Sequence, residues 1–396
     1  MSAHSSGNGD KTGMAQQAAR QSESPLPGGA TKKWRAGVLG ATGLVGQRLV
    51  KLLADHPWFE LTEVAASERS SGKSYSEAVR WHLDGPIPES ARGLVVKSLD
   101  PSLDCDFVFS ALDSSVAGGA EEDFARAGYP VVSNSKNHRM DPDVPLLIPE
   151  VNAAHLDAIP TQQKNRGYGS GFIVTNPNCS TAGLVLVLKP LADAFGLEKV
   201  FAVTLQAVSG AGYPGVASMD IHANVIPFIS GEEEKMETEP QKLLGKWDGA
   251  RFLDAGLGLS AHCNRVPVLE GHLECISVSL KKIACLKEVR EALSNFEVDA
   301  ELASLPSAIR HPVVVIDGDD RPQPRRDVQA GNGMAAVVGR VRECSLLDIK
   351  LTLLSHNLIR GAAGAALLNA ELLAARGFLN HRSIPTESDI VQPVSQ

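Results

Sequence analysis

Short apolar runs and helical stretches alternate through the first 176 residues. Ala36-Gly37-Val38-Leu39 reads as a buried strand that runs into a glycine-rich turn. Residues 44–55, LVGQRLVKLLAD, then place apolar side chains at helical spacing. Leu61–Ala66, DFVFS over 106–110, YPVVS over 129–133 and a later FIVT run read as further strands. Strands that alternate with helices predict a parallel, doubly wound sheet. The second half changes character. A very apolar helix over 180–195 is followed by Val- and Ile-rich strands over 200–208, 274–281, 311–316 and 335–341. Alternation in LECISVSLKK predicts a mixed or antiparallel sheet with one open face. An Ala-rich helix over 356–376 closes the pattern. The fold class is α/β, with an α+β second domain built on a mixed sheet.

The two ends lack such periodicity. Residues 1–33 are rich in Ser, Gly, Ala and Gln and carry no apolar core of a secretory signal, so a disordered tail is expected. A second loose tail is expected over 379–396. Between them we place a nucleotide-binding domain over 34–176, completed by a C-terminal helix over 356–378. A catalytic and dimerisation domain occupies 177–355.

Composition narrows the function. The 396 residues carry 38 basic and 46 acidic side chains, a net charge of −8, with no basic stripe to hold nucleic acid. No run approaches the roughly 20 apolar residues of a membrane span. The six cysteines are scattered and form no Cys-x-x-Cys pair, which argues against a disulfide scaffold or a zinc ribbon. No metal site is expected, and the cytoplasm is the expected compartment.

Gly40-Ala41-Thr42-Gly43-Leu44-Val45-Gly46 lies between a predicted strand and a predicted helix. Glycines there let the backbone approach a pyrophosphate, and a helix start offers free N–H groups. A bare tight turn is the plainer alternative. The context favours a Rossmann-like cradle, with Gly40, Thr42, Gly43, Leu44, Val45 and Gly46 at the cofactor. After the second strand, Ser67, Ser70, Ser71 and Lys73 offer hydroxyls and positive charge suited to a 2′-phosphate, so NADP is favoured over NAD. Glu68 sits among them and speaks for NAD.

Thr175-Asn176-Pro177-Asn178-Cys179-Ser180-Thr181 joins the FIVT strand to the apolar helix. Cys179 is therefore expected in a first helical turn. Unpaired N–H groups and the helix dipole would there lower the thiol pKa and prepare a nucleophile, with the same N–H groups serving a developing oxyanion. A buried structural cysteine is the common alternative, accepted for the other five. Glu232-Glu233-Glu234-Lys235 is read as a solvated helix face.

Asn-Pro-Asn-Cys-Ser-Thr, with Gly-Ala-Thr-Gly-Leu-Val-Gly upstream, closely resembles the aspartate-semialdehyde dehydrogenases, from about Arg35 to about Gly377. The compact segment from Val208 to Gly215 is most similar to the fungal and archaeal branch. The resemblance implies that Cys179 is the nucleophile and His272 the acid–base histidine. It implies that Gln206 orients the substrate and that Arg265 grips its α-carboxylate. Glu239, rather than Glu237, would face the substrate amine, because Lys242 follows it by three residues. Arg139 and Lys242 would hold phosphate, and Asn178 would lie at the substrate. Ser209, Gly210, Gly212 and Asn357 would lie at the cofactor. The implied reaction is the reversible, NADPH-dependent conversion of aspartyl phosphate to aspartate semialdehyde and phosphate, for lysine, threonine, methionine and isoleucine synthesis. A homodimer or homotetramer is implied. An N-acetylglutamyl-phosphate or acyl-CoA reductase, a non-catalytic NADP sensor and a purely structural oligomer are the rivals.

Overall fold

A computed structural model describes residues 25–382. The expected tails therefore lie outside the described residues at 1–24 and at 383–396. Within them, residues 379–382 are anchored rather than loose. Trp34 Nε1 donates to the Leu379 carbonyl, and the Arg382 guanidinium lies 3.3 Å from the Tyr129 ring centroid.

The first sheet is wholly parallel. Its strands are β1 (Trp34–Leu39), β2 (Phe59–Ala65), β3 (Val96–Lys97), β4 (Phe107–Ser110), β5 (Pro130–Ser133) and β6 (Phe172–Thr175). Their spatial order is β3-β2-β1-β4-β5-β6. Every residue of β4, β5 and β6 is buried, as expected of strands covered on both faces. The chain order reverses between β1 and β4, so the ligand crevice of such a sheet lies at the carboxyl end of β1. Helix α1 (Leu44–Leu53) starts there, directly after the glycine turn.

The second sheet is mixed and is built against α2 (Cys179–Phe195), which is buried along most of its length. Strand β7 (Leu197–Gln206) is followed by α3 (Glu232–Leu243), β8 (Gly258–Arg265), β9 (His272–Leu280), β10 (Val313–Val315), β11 (Ala336–Glu343) and β12 (Ile349–Ser355). The order is β8-β7-β9-β12-β11-β10. On β9, His272, Glu274, Ile276, Val278 and Leu280 are buried, while Cys275 on the opposite face is exposed. The alternation in LECISVSLKK thus marks one covered and one open face.

Short β3 was not expected, nor were two strands of the second sheet. Edge strand β8, GLSAHCNR, interleaves polar and small residues and has no hydrophobic run. Strand β12, IKLTLLS, is nearly all buried, and a short apolar run of that kind reads as strand or helix alike. The C-terminal helix is also shorter than its pattern. Regular α4 spans Gly364–Ala375, preceded by a π-turn over Ile359–Ala363. Its leucines join the core of the first sheet, so the end of the chain returns to the N-terminal half. Among the described residues, no helix is long and apolar enough to cross a membrane.

Candidate active site

The covered edge of the mixed sheet gathers the reactive side chains. Strands β7 and β8 run parallel and end together, with Gln206 paired to Arg265. Strand β9 runs the other way, so His272 at its start lies beside the end of β7. Helix α2 starts opposite this edge. Its N-cap is Asn178, whose Oδ1 accepts from the N–H groups of Ser180 and Thr181 at 3.0 and 3.3 Å. Those two donors were expected to serve an oxyanion, and the cap occupies them instead.

Cys179 is the first residue of α2, and its Sγ lies 3.1 Å from His272 Nε2. The Ala207 N–H donates to His272 Nδ1 at 3.1 Å. That bond makes Nδ1 an acceptor, so the proton of the neutral ring sits on Nε2 and points at sulfur. Burial pushes His272 down to about 3, assisted by Arg265. Burial likewise pushes the Cys179 thiol up to about 12, with Glu232 adding to the rise and Arg139 and Arg265 opposing it. Burial and Glu232 thus oppose the lowering that the helix start was expected to give. Burial favours the neutral form of both partners.

Arg265 is buried, and its Nη1 donates to the Ala207 carbonyl at 2.7 Å. No acid of the described residues lies within salt-bridge distance of it; its pKa is lowered, chiefly by burial. A buried guanidinium without a counter-ion is costly unless an anionic ligand completes it. Gly210 closes over this group: a Cβ there would come within 2.9 Å of Arg265 Nη1 and 3.1 Å of His272 Cε1.

The acids of α3 depart from expectation. Glu232 is buried in the site and not on a solvated face. Its Oε2 accepts from Asn178 Nδ2 at 2.8 Å and from Gln206 Nε2 at 3.4 Å, and its Oε1 pairs with Lys235 at 2.6 Å. Burial works against its charge, yet Lys235 and Asn178 hold its carboxyl below the usual range. Glu239, expected at the substrate amine, instead accepts from Arg139 Nη1 and from the Asn178 N–H. Glu237 accepts from the Ala261 N–H. Lys242, expected at phosphate, donates to the carbonyls of Arg139, Asp141 and Val144 and has no N–H left for a ligand. Burial lowers it to about 7, although Asp141 and Asp143 oppose the shift. Arg139 is buried, and its Nε has no partner among the described residues.

Sequence reading missed Glu232 and Gly361. A Cβ on Gly361 would come within 2.6 Å of Cys179 Cβ, so only glycine lets the π-turn lie against Cys179. Only the i, i+3 spacing of Glu232 and Lys235 hinted at the former.

Of the residues expected at the cofactor, the Gly40–Gly46 and Ser67–Lys73 turns lie at the carboxyl ends of β1 and β2, whereas Ser209, Gly212 and Asn357 follow strands of the second sheet. Gly40 has φ +75°, and a Cβ there would meet the Ala111 carbonyl oxygen at 2.6 Å. Helix α1 starts at Leu44 with no side-chain cap on its N–H groups, which leaves a place for phosphate. Tyr75 Oη donates to the Ala41 carbonyl and holds the turn from beneath. Ser67, Ser70, Ser71 and Lys73 form a turn beyond β2, with Ser67, Lys73 and Glu68 exposed. Asn357 is buried; its Nδ2 donates to Ser209 Oγ and its Oδ1 accepts from the Gly271 N–H. Gly212 ends the turn that begins at Ser209.

Two family models match the chain. Residues 35–159 match the semialdehyde dehydrogenase NAD binding domain, and residues 188–360 match the semialdehyde dehydrogenase dimerisation domain. The aspartate-semialdehyde dehydrogenase of Archaeoglobus fulgidus is 49% identical over 342 residues, covering 86% of this chain and 98% of that one. The chain belongs to the aspartate-semialdehyde dehydrogenase family. Its Trichophyton rubrum relative is 47% identical over 357 residues, covering 88% of this chain and 99% of that one. A crystal structure of the Candida albicans family member with NADP superposes with a TM-score of 0.81 at 44% identity, covering 88% of this chain and all of that one.

Proposed function

We propose that this chain is an NADP-dependent aspartate-semialdehyde dehydrogenase that reduces L-4-aspartyl phosphate to L-aspartate 4-semialdehyde and phosphate, reversibly, in amino-acid biosynthesis. The observation that carries the substrate is Arg265, a buried guanidinium without an acid partner that shares Ala207 with the Cys179–His272 pair. We assign it the substrate α-carboxylate. The substrate ammonium lies on the side of Glu232, the ionised acid bonded to Gln206 and Asn178. The phosphoryl group lies toward Arg139.

Cys179 sulfur attacks the acyl carbon, the C–O bond to phosphate breaks, and the thiol proton leaves with phosphate as a thioester forms. The Gly40–Gly46 turn and the Ser67–Lys73 turn would hold NADPH, which would supply the hydride needed to reduce the thioester. His272 donates a hydrogen bond from Nε2 to the oxyanion of the resulting hemithioacetal and then to the thiolate that remains when the aldehyde departs, keeping its own proton throughout. A donor that is neutral and fixed costs no rearrangement at the moment the charge develops. The thiolate finally takes a proton from solvent.

The half-open outer face of the mixed sheet, with Phe201 at 40% exposure, supports a homodimer or homotetramer built on that face. Six cysteines free of disulfides support a cytoplasmic setting. The test is NADPH oxidation with aspartyl phosphate, N-acetylglutamyl phosphate and malonyl-CoA in parallel. Turnover with aspartyl phosphate well above the others is expected, and preference for either rival overturns the reading.

A further inference from the structure

Helix α3 carries a lysine that touches the first domain and not the reacting groups. Lys242 Nζ donates to the carbonyls of Arg139, Asp141 and Val144 at 2.8, 2.7 and 2.7 Å. All three ammonium hydrogens are thus committed to one loop. The Phe252 ring covers the ammonium, its centroid 4.4 Å from Nζ. Three residues earlier on the same helix face, Glu239 pairs with the side chain of the same arginine, Oε1 to Arg139 Nη1 at 2.9 Å. Its other oxygen accepts from the Asn178 N–H at 2.6 Å. From the far side, Arg166 reaches Asp141 and Asp143, and His138 reaches Asp141.

One helix therefore holds both the backbone and the guanidinium of Arg139, and ties them to the cap of the nucleophile helix. We propose that Lys242 is a positioning residue for phosphate. It fixes the 139–144 loop so that Arg139 faces the phosphoryl group, and it makes no contact with phosphate itself. This rests on the assignment of phosphate to Arg139. A flexible loop would leave the guanidinium's orientation to chance, and transfer to phosphate depends on that orientation.

The experiment measures the phosphorylating direction, with aspartate semialdehyde, NADP and inorganic phosphate. Lys242→Met should raise the phosphate KM about tenfold or more, as expected when a charge-assisted contact is misplaced. The KM for aspartate semialdehyde and NADP affinity should stay within about twofold of wild type, since the Lys242 ammonium bonds to neither Arg265, Glu232 nor the glycine turn. Lys242→Arg should fail to rescue: a guanidinium is a good phosphate ligand but cannot place three donors on these three carbonyls. In an Arg139→Ala background, Lys242→Met should add less than about twofold, because the group it positions is gone. Rescue by arginine, or full additivity in the double variant, would show that Lys242 meets phosphate directly and overturns the proposal. A phosphate KM unchanged by Lys242→Met overturns it too. An equal loss in every parameter, with a lowered Tm, assigns the lysine to stability alone. An unchanged phosphate KM in Arg139→Ala removes the phosphate assignment itself, a separate failure. Should Lys242→Met not fold, Lys242→Arg and its double variant carry the same comparison.

Discussion

Cys179 Sγ lies 3.1 Å from His272 Nε2, and the Ala207 N–H fixes which ring nitrogen bears the proton. The imidazole thereby meets sulfur as a donor. Burial disfavours charge on both partners. Replacing sulfur with oxygen removes the stronger nucleophile, because even a raised thiol ionises more easily than an alcohol. Cys179→Ser should lose most turnover while folding normally and binding NADPH, as read by cofactor fluorescence. Substantial activity in that variant would take Cys179 out of the nucleophile role.

Arg265 is the group assigned to the α-carboxylate. Arg265→Lys keeps charge but loses the planar fork. A cost on the order of 1.5–3 kcal/mol, about ten- to a hundredfold in kcat/KM, is expected for aspartyl phosphate. NADPH affinity should hardly move. Wild-type kinetics would make Arg265 a structural residue.

Glu232→Gln keeps the shape that holds Gln206 and Asn178 but removes the negative charge. The KM for aspartate semialdehyde should rise about tenfold, as for a lost charge-assisted bond. Glu237→Gln, which alters only a bond to the Ala261 N–H, should leave that KM near wild type. Equal effects in the two variants would remove Glu232 from the substrate site.

The pH behaviour follows from two opposed shifts. The thiol is raised to about 12, so alkylation of Cys179 by iodoacetamide should quicken by roughly tenfold per pH unit from 7 to 9 without a plateau. A plateau below pH 8 would show a stable thiolate. His272 is lowered from 6.5 to about 3, so the unfolded chain binds a proton in that window that the folded chain does not. Its contribution to stability is full above pH 6.5 and declines as pH falls toward 3. Denaturant titrations of wild type and His272→Gln should differ in slope there.

Cofactor choice should favour NADP over NAD, because Ser70, Ser71 and Lys73 cluster beyond β2. Lys73→Ala should narrow that preference through NADP affinity alone. Equal kcat/KM for NAD in wild type would mean that Glu68 takes the ribose hydroxyls.

The sequence by itself determined the local pieces of this protein. The glycine turn between β1 and α1, and Cys179 at the start of α2, were legible because each depends on a few adjacent residues. The open-faced sheet was legible from the two-residue period of β9. Only the tertiary structure decided what those pieces meet. Cys179 and His272 stand 93 positions apart, and pairing of β9 with β7 brings them together. Which acid of α3 enters the site is a question of helix phase: Glu232 is buried beside Gln206, whereas Glu239 and Lys242 are spent on the Arg139 loop. The surroundings of the thiol were hidden for the same reason. The helix start is written in the local sequence, but the burial that opposes it comes from distant segments, Gly361 and the start of β9 among them.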